Sequence, residues 1–130
     1  MKNTRFRAPL KNVKGLGAAK AGTGHFINQR VSAMALIPLV FLFMYFLLRM
    51  VTAGSYDDII AQVSNPFWAT VLIAFILVGF YHGALGMQVI IEDYIHEEMP
   101  KMLLLTALRL AAGFLAIMGV LSVLFIALTH

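Results

Sequence analysis

A run of 25 residues, Phe67 to Ile91, contains no Asp, Glu, Lys or Arg. A run that long reads as a membrane-spanning helix, and this sets the solvent in which the rest of the chain must fold. Within it stands His82, and eleven residues further on comes Asp93, followed at once by Tyr94. An ionisable side chain inside a span is costly to bury, so it defaults to a functional reading. An imidazole inside the bilayer with an acid–phenol pair at its edge points to redox or proton chemistry.

The composition agrees with a lipid solvent. The 130 residues are 61% hydrophobic and 12% charged, with a mean hydropathy of +0.86. A soluble globule of this size exposes too much of its surface to hide so many apolar side chains. One membrane domain is therefore expected, with no soluble domain. The chain has no cysteine, which excludes disulfides, thiolate metal sites, Cys-ligated iron–sulfur clusters and thioether-linked haem. A pI near 9.7 raises the question of nucleic acid, but the basic residues form no folded patch. Seven of the ten lie in the first 30 positions: Lys2, Arg5, Arg7, Lys11, Lys14, Lys20 and Arg30. Beside a hydrophobic span that pattern is a topology signal and a contact for anionic lipid, and no nucleic-acid partner is expected.

Residues 1–22 read as a basic cytoplasmic arm in which Gly15, Gly17 and Gly22 disfavour a stable helix. The arm lacks the cleavage pattern of a secretory signal; its basic, acid-free character resembles a mitochondrial transit peptide. Residues 23–130 read as a three-helix membrane domain with spans at about 31–48, 67–92 and 102–128. Pro38 is expected to kink the first span. Residues 49–65 carry turn and helix-start signals in Gly54, Asp57, Asp58 and Asn65-Pro66. Trp68 is placed as an interfacial aromatic at the start of span two. Glu92 to Lys101 forms an acidic second connection. Arg109, two turns into span three, either snorkels or meets a buried partner. By the excess of basic residues the N-terminus lies in the cytoplasm, and three spans put the C-terminus outside.

On a helical wheel His82 and Asp93 fall about 20° apart, with Gly79, Gly83 and Gly86 beside them. Those glycines either pack helix against helix or leave room for a flat cofactor next to the imidazole. His82 has three readings: a hydrogen-bonded packing residue, a proton relay, or a ligand to haem iron in a helix bundle. A single histidine cannot supply two axial imidazoles, so bis-imidazole ligation would need a partner chain. Tyr94 is a sound donor to a quinone carbonyl, and Asp93 could route protons; the alternative is a solvated helix end. Glu92, His96, Glu97 and Glu98 read as a solvated acidic segment for docking a basic partner rather than a metal cluster. Arg30 is an anchor at the membrane edge, and with His25 it could bind an anionic group such as haem propionates.

The stretch Phe80-Tyr81-His82-Gly83-Ala84-Leu85-Gly86-Met87 through Glu92-Asp93-Tyr94 resembles the signature of the small D-type membrane anchor subunits of succinate dehydrogenase, respiratory complex II. His25-Phe26 and Gln29-Arg30 before the first span resemble the bacterial branch, and the likeness covers roughly residues 22 to 128. The resemblance implies an all-α integral membrane chain that joins a heteromeric helix bundle. It implies that His82 is one axial ligand of a haem b shared with a larger cytochrome b-type subunit. Tyr94, with Asp93 beside it, would bind ubiquinone, while Arg30, and by a less direct match His25, would lie near the haem propionates. The implied partners are that cytochrome subunit, an iron–sulfur subunit and a flavoprotein subunit. The implied location is a bacterial cytoplasmic membrane, with the mitochondrial inner membrane as the alternative. Two rivals stay open: an anchor of quinol:fumarate reductase, and a cofactor-free structural adaptor.

Overall fold

The computed structural model describes residues 18–130, with side chains from Thr23 onward. Most of the expected basic arm thus lies outside the described residues. Four helices follow in order: α1 Ala18–Val51, α2 Tyr56–Ser64, α3 Pro66–Tyr94 and α4 Glu98–Thr129. Among the described residues there is no strand. Three of the helices, Thr23–Val51 within α1, Pro66–Tyr94 and Glu98–Thr129, are long and apolar enough to cross a membrane. Only 11% of the most apolar window of each is buried within the chain. The apolar exterior is therefore a surface for lipid and for other apolar partners.

The helices run past the expected spans at several ends. α1 begins at Ala18, so Gly22 lies inside it. The run Ala18-Ala19-Lys20-Ala21 consists of strong helix formers, which offset the cost of about 1 kcal/mol that a helical glycine carries. α1 also continues through Pro38. The acidic connection shrinks to residues 95–97, because α3 holds to Tyr94 and α4 starts at Glu98. Pro100 then falls in the first turn of α4, where a missing N–H costs little, and Glu98 sits favourably at the positive end of the helix dipole.

The 49–65 segment holds α2, started by Ser55. The Asp58 N–H donates to Ser55 Oγ at 3.2 Å, while Ser55 Oγ donates to Asp58 Oδ2 at 2.8 Å. Asn65 starts α3 by accepting from the Phe67 N–H at 3.0 Å, with Pro66 in the first turn. Two side chains tie α2 to the long helices: Gln62 Nε2 donates to the Phe46 carbonyl at 3.3 Å and Ser64 Oγ to the Ile126 carbonyl at 3.4 Å.

α3 is the central helix and packs along both α1 and α4, which hardly touch each other. The core sits at the α2 end, where Phe46, Val63, Trp68, Val71 and Leu72 are buried. Trp68 is only 8% exposed. Its ring lies 5.6 Å from that of Phe46 and 5.7 Å from that of Tyr45, centroid to centroid. The tryptophan expected at the interface opens α3 but faces inward, because α1 supplies aromatic partners for its ring. A second ring pair, Phe43 on Phe75, stacks at 4.3 Å with 11° between planes. Along α1 and α3 these contacts run antiparallel, so α1 residues nearer the N-terminus meet α3 residues nearer the C-terminus. That register delivers Ser32 of α1 to His82 of α3.

Candidate functional site

Ser32 is the one buried polar residue among the described residues, at 6% exposure. Its Oγ lies 2.9 Å from His82 Nδ1 and donates to the Gln29 carbonyl at 3.0 Å. His25, Gln29 and Ser32 are spaced i, i+4, i+7 and so share one stripe of α1. His82 lies two turns beyond Phe75 on α3, on the same stripe that carries the ring stack. The imidazole is half-buried. With Nδ1 engaged, Nε2 has no hydrogen-bond partner among the described residues.

Gly86, Gly79 and Gly83 fall about 40°, 60° and 100° around α3 from His82. A Cβ added at any of them would meet nothing within 4 Å. Packing against another helix of this chain is therefore not their role, and the face beside the imidazole is open. The glycine that does admit a close approach is Gly119 on α4, where an added Cβ would lie 3.2 Å from two carbons of Ile76.

His25 contributes a second unpartnered nitrogen: its Nε2 is buried and has no hydrogen-bond partner. Arg30 stands about 140° around α1 from His25, exposed, with its guanidinium 4.6 Å above the Phe26 ring. The two residues expected to act on one anionic group thus leave α1 in different directions.

Asp93 and Tyr94 close α3, where the Ile95 N–H donates to the Ile91 carbonyl at 2.9 Å. Both side chains are exposed, Tyr94 at 79%. Tyr94 forms the wall of a hollow of about 410 Å³ with Ile95, His96, Glu97 and Pro100. Consecutive helical residues diverge by about 100°, so the phenol and the carboxylate do not point into one space from this chain alone. The rise from His82 to Tyr94 is about 18 Å.

Arg109 lies three turns into α4 and donates to Gln88 Oε1 at 3.3 Å, while Gln88 Nε2 donates to Glu92 Oε1 at 2.7 Å. The arginine meets an amide partner rather than a buried carboxylate. This relay edges a cavity of about 350 Å³ between α3 and α4, otherwise lined by apolar residues such as Phe80, Ala84 and Ala112. Among the described residues no three His, Asp or Glu side chains gather to hold a metal ion. Glu92, His96, Glu97 and Glu98 lie exposed around the turn from α3 to α4.

These features define a helical membrane protein with three helices long and apolar enough to span, and with a half-buried imidazole beside an open glycine face. The family model for the succinate dehydrogenase/fumarate reductase transmembrane subunit matches residues 4–128, and the chain belongs to that family. It is 34% identical over 108 residues to the succinate dehydrogenase hydrophobic membrane anchor subunit of Rickettsia bellii (strain RML369-C), covering 81% of this chain and 83% of that one. It is 37% identical over 97 residues to the subunit of the same name from Paracoccus denitrificans, covering 75% of this chain and 74% of that one. A third relative of that name, from Rickettsia conorii (strain ATCC VR-613 / Malish 7), is 30% identical over 105 residues.

Sequence reasoning named His82, Asp93, Tyr94, Arg30 and His25, but missed Ser32. The available signal was a hydroxyl three residues after Gln29 and seven after His25, inside an otherwise apolar stretch.

Proposed function

We propose that this chain anchors a succinate:ubiquinone oxidoreductase in a bacterial cytoplasmic membrane. In this reading His82 would hold the iron of a haem b shared with a cytochrome b-type subunit. The chain also forms part of the ubiquinone-reduction site and docks an iron–sulfur and a flavoprotein subunit that oxidise succinate. The observation that carries this reading is the His82 nitrogen left without a partner beside an open glycine face. An imidazole is the natural axial donor to b-type haem iron, and a flat macrocycle needs a face without side chains. The buried, unpartnered His25 Nε2 suits a propionate, and Arg30 offers a charge at the same membrane edge. When bound, haem b supplies a one-electron carrier near the quinone.

The chain's own residues do the rest. Tyr94 donates a hydrogen bond to a quinone carbonyl at the end of α3, and Asp93 accepts and passes protons that the reduced quinone takes up. Their exposure in the single chain suits a site completed by partner subunits. The N-terminus faces the cytoplasm, which puts the Asp93-Tyr94 end on that side and His130 outside.

Purification of the complex through a C-terminal tag, with an optical spectrum and identification of the subunits, tests the assignment. A low-spin haem b spectrum together with flavoprotein and iron–sulfur subunits is the expected result. His82→Ala should abolish that spectrum or replace it with a different ligation. An unchanged low-spin spectrum in that variant would remove His82 as the ligand.

A further inference from the structure

We infer that Ser32 is the positioning residue that fixes the tautomer and the rotation of the His82 ring. The inference rests on the ligand reading of His82 proposed above. Ser32 Oγ has two neighbours, His82 Nδ1 at 2.9 Å and the Gln29 carbonyl at 3.0 Å. A hydroxyl carries one proton and can also accept, whereas a carbonyl can only accept.

Two arrangements are open. In one, Ser32 donates to Nδ1; the Gln29 contact is then lost, and the ring proton sits on Nε2, which has no partner among the described residues. In the other, Ser32 donates to the Gln29 carbonyl and accepts from Nδ1–H. Both short contacts then become hydrogen bonds, and no ring N–H is left unpaired in an apolar span. An N–H left unpaired in the apolar surroundings of a span costs about 1–3 kcal/mol, so the second arrangement prevails. It leaves Nε2 unprotonated, with its lone pair pointing away from α1, which is the form an iron ligand requires. The deep burial of Ser32 keeps competing donors away from this pair.

The Nδ1–H bond also has an electronic consequence. An imidazole that donates its second N–H is a stronger electron donor at Nε2, and it favours the oxidised metal. Removing the acceptor should therefore raise the haem midpoint potential, let the ring rotate, and weaken haem retention. Second-shell losses of this kind are typically on the order of 10–100-fold in affinity.

The experiment uses the assembled complex and compares Ser32→Thr, Ser32→Val and Ser32→Ala with His82→Ala. Thr and Val fill almost the same space and differ in the hydroxyl. Redox titration of the haem and its rate of transfer to apomyoglobin are the readouts. Ser32→Thr should match the parent in both. Ser32→Val and Ser32→Ala should share a raised potential and a haem loss faster by roughly tenfold or more. Equal potentials and equal loss rates for Thr and Val would overturn the role of Ser32. Failure of all three variants to assemble, Thr included, would also overturn it, by showing that the position serves packing alone. A parent-like spectrum in His82→Ala would overturn the ligand reading itself, an outcome distinct from the first two.

Discussion

Around Trp68 the chain encloses itself. Rings from α1 and α3 interlock, α2 lies across them, and Val123 and Ile126 of α4 complete the packing. Around His82 the same two long helices continue, but there a polar pair, Ser32 and His82, joins them, and three glycines beside the imidazole have open space over them. The first region satisfies its own packing. The second ends in groups that the described residues do not partner: the outward nitrogen of the half-buried His82 ring, the buried Nε2 of His25, and glycine backbone with open space over it. In a membrane, where apolar faces lose nothing by meeting lipid, helices associate through close packing and polar contacts. The aromatic end provides the chain's own cohesion, which frees the other end to be shaped for partners.

Gly83→Leu should break the contrast most sharply. The added side chain has open space in the single chain and a helix propensity better by roughly 1 kcal/mol, so the subunit should accumulate normally in membranes. With haem b held at His82 as proposed above, it should expel the haem or block docking in the assembled complex, read as loss of the haem absorbance from purified material. Retention of full absorbance would mean that this face meets only lipid.

Trp68→Ala tests the opposite end. Truncating a buried tryptophan typically costs 3–5 kcal/mol, so a loss of about 3 kcal/mol is expected in unfolding by SDS in mixed micelles. Any haem that stays bound should keep its spectrum, because the ring lies far from His82 along α3. A changed spectrum with unchanged stability would show that the two ends are not independent.

Tyr94→Phe should give the smallest effect. It removes one hydrogen bond and keeps the ring, a loss of about 0.5–1.5 kcal/mol in quinone binding. Quinone reduction should fall while succinate oxidation by a dye that accepts electrons from the hydrophilic subunits stays level. Asp93→Asn should show the same selectivity. Equal loss of both activities would move the pair from quinone chemistry to assembly.

The three spans were legible because a long charge-free run has one outcome in a bilayer. Where each helix would stop was less legible, since Ala18 to Ala21 outweighed Gly22 and Pro100 was absorbed into a first turn. Trp68 shows why place along a helix can be read and direction cannot: the charge-free run puts it in the first turn of α3, whereas its facing depends on rings more than twenty residues away. For the same reason His82 stood out while Ser32 did not. A histidine in a span is rare enough to be noticed alone; a serine gains meaning only when another helix brings it a partner fifty residues distant.

The distance along α1 from Ser32 to Phe43, and along α3 from Phe75 to His82, also constrains how the chain can change length. One inserted residue within either stretch would turn everything beyond it by about 100° relative to the ring stack. Ser32 and His82 would then no longer meet, although every residue of the site would still be present. Sequences that keep this arrangement must therefore match any gap inside one of the two stretches with a compensating gap in the other.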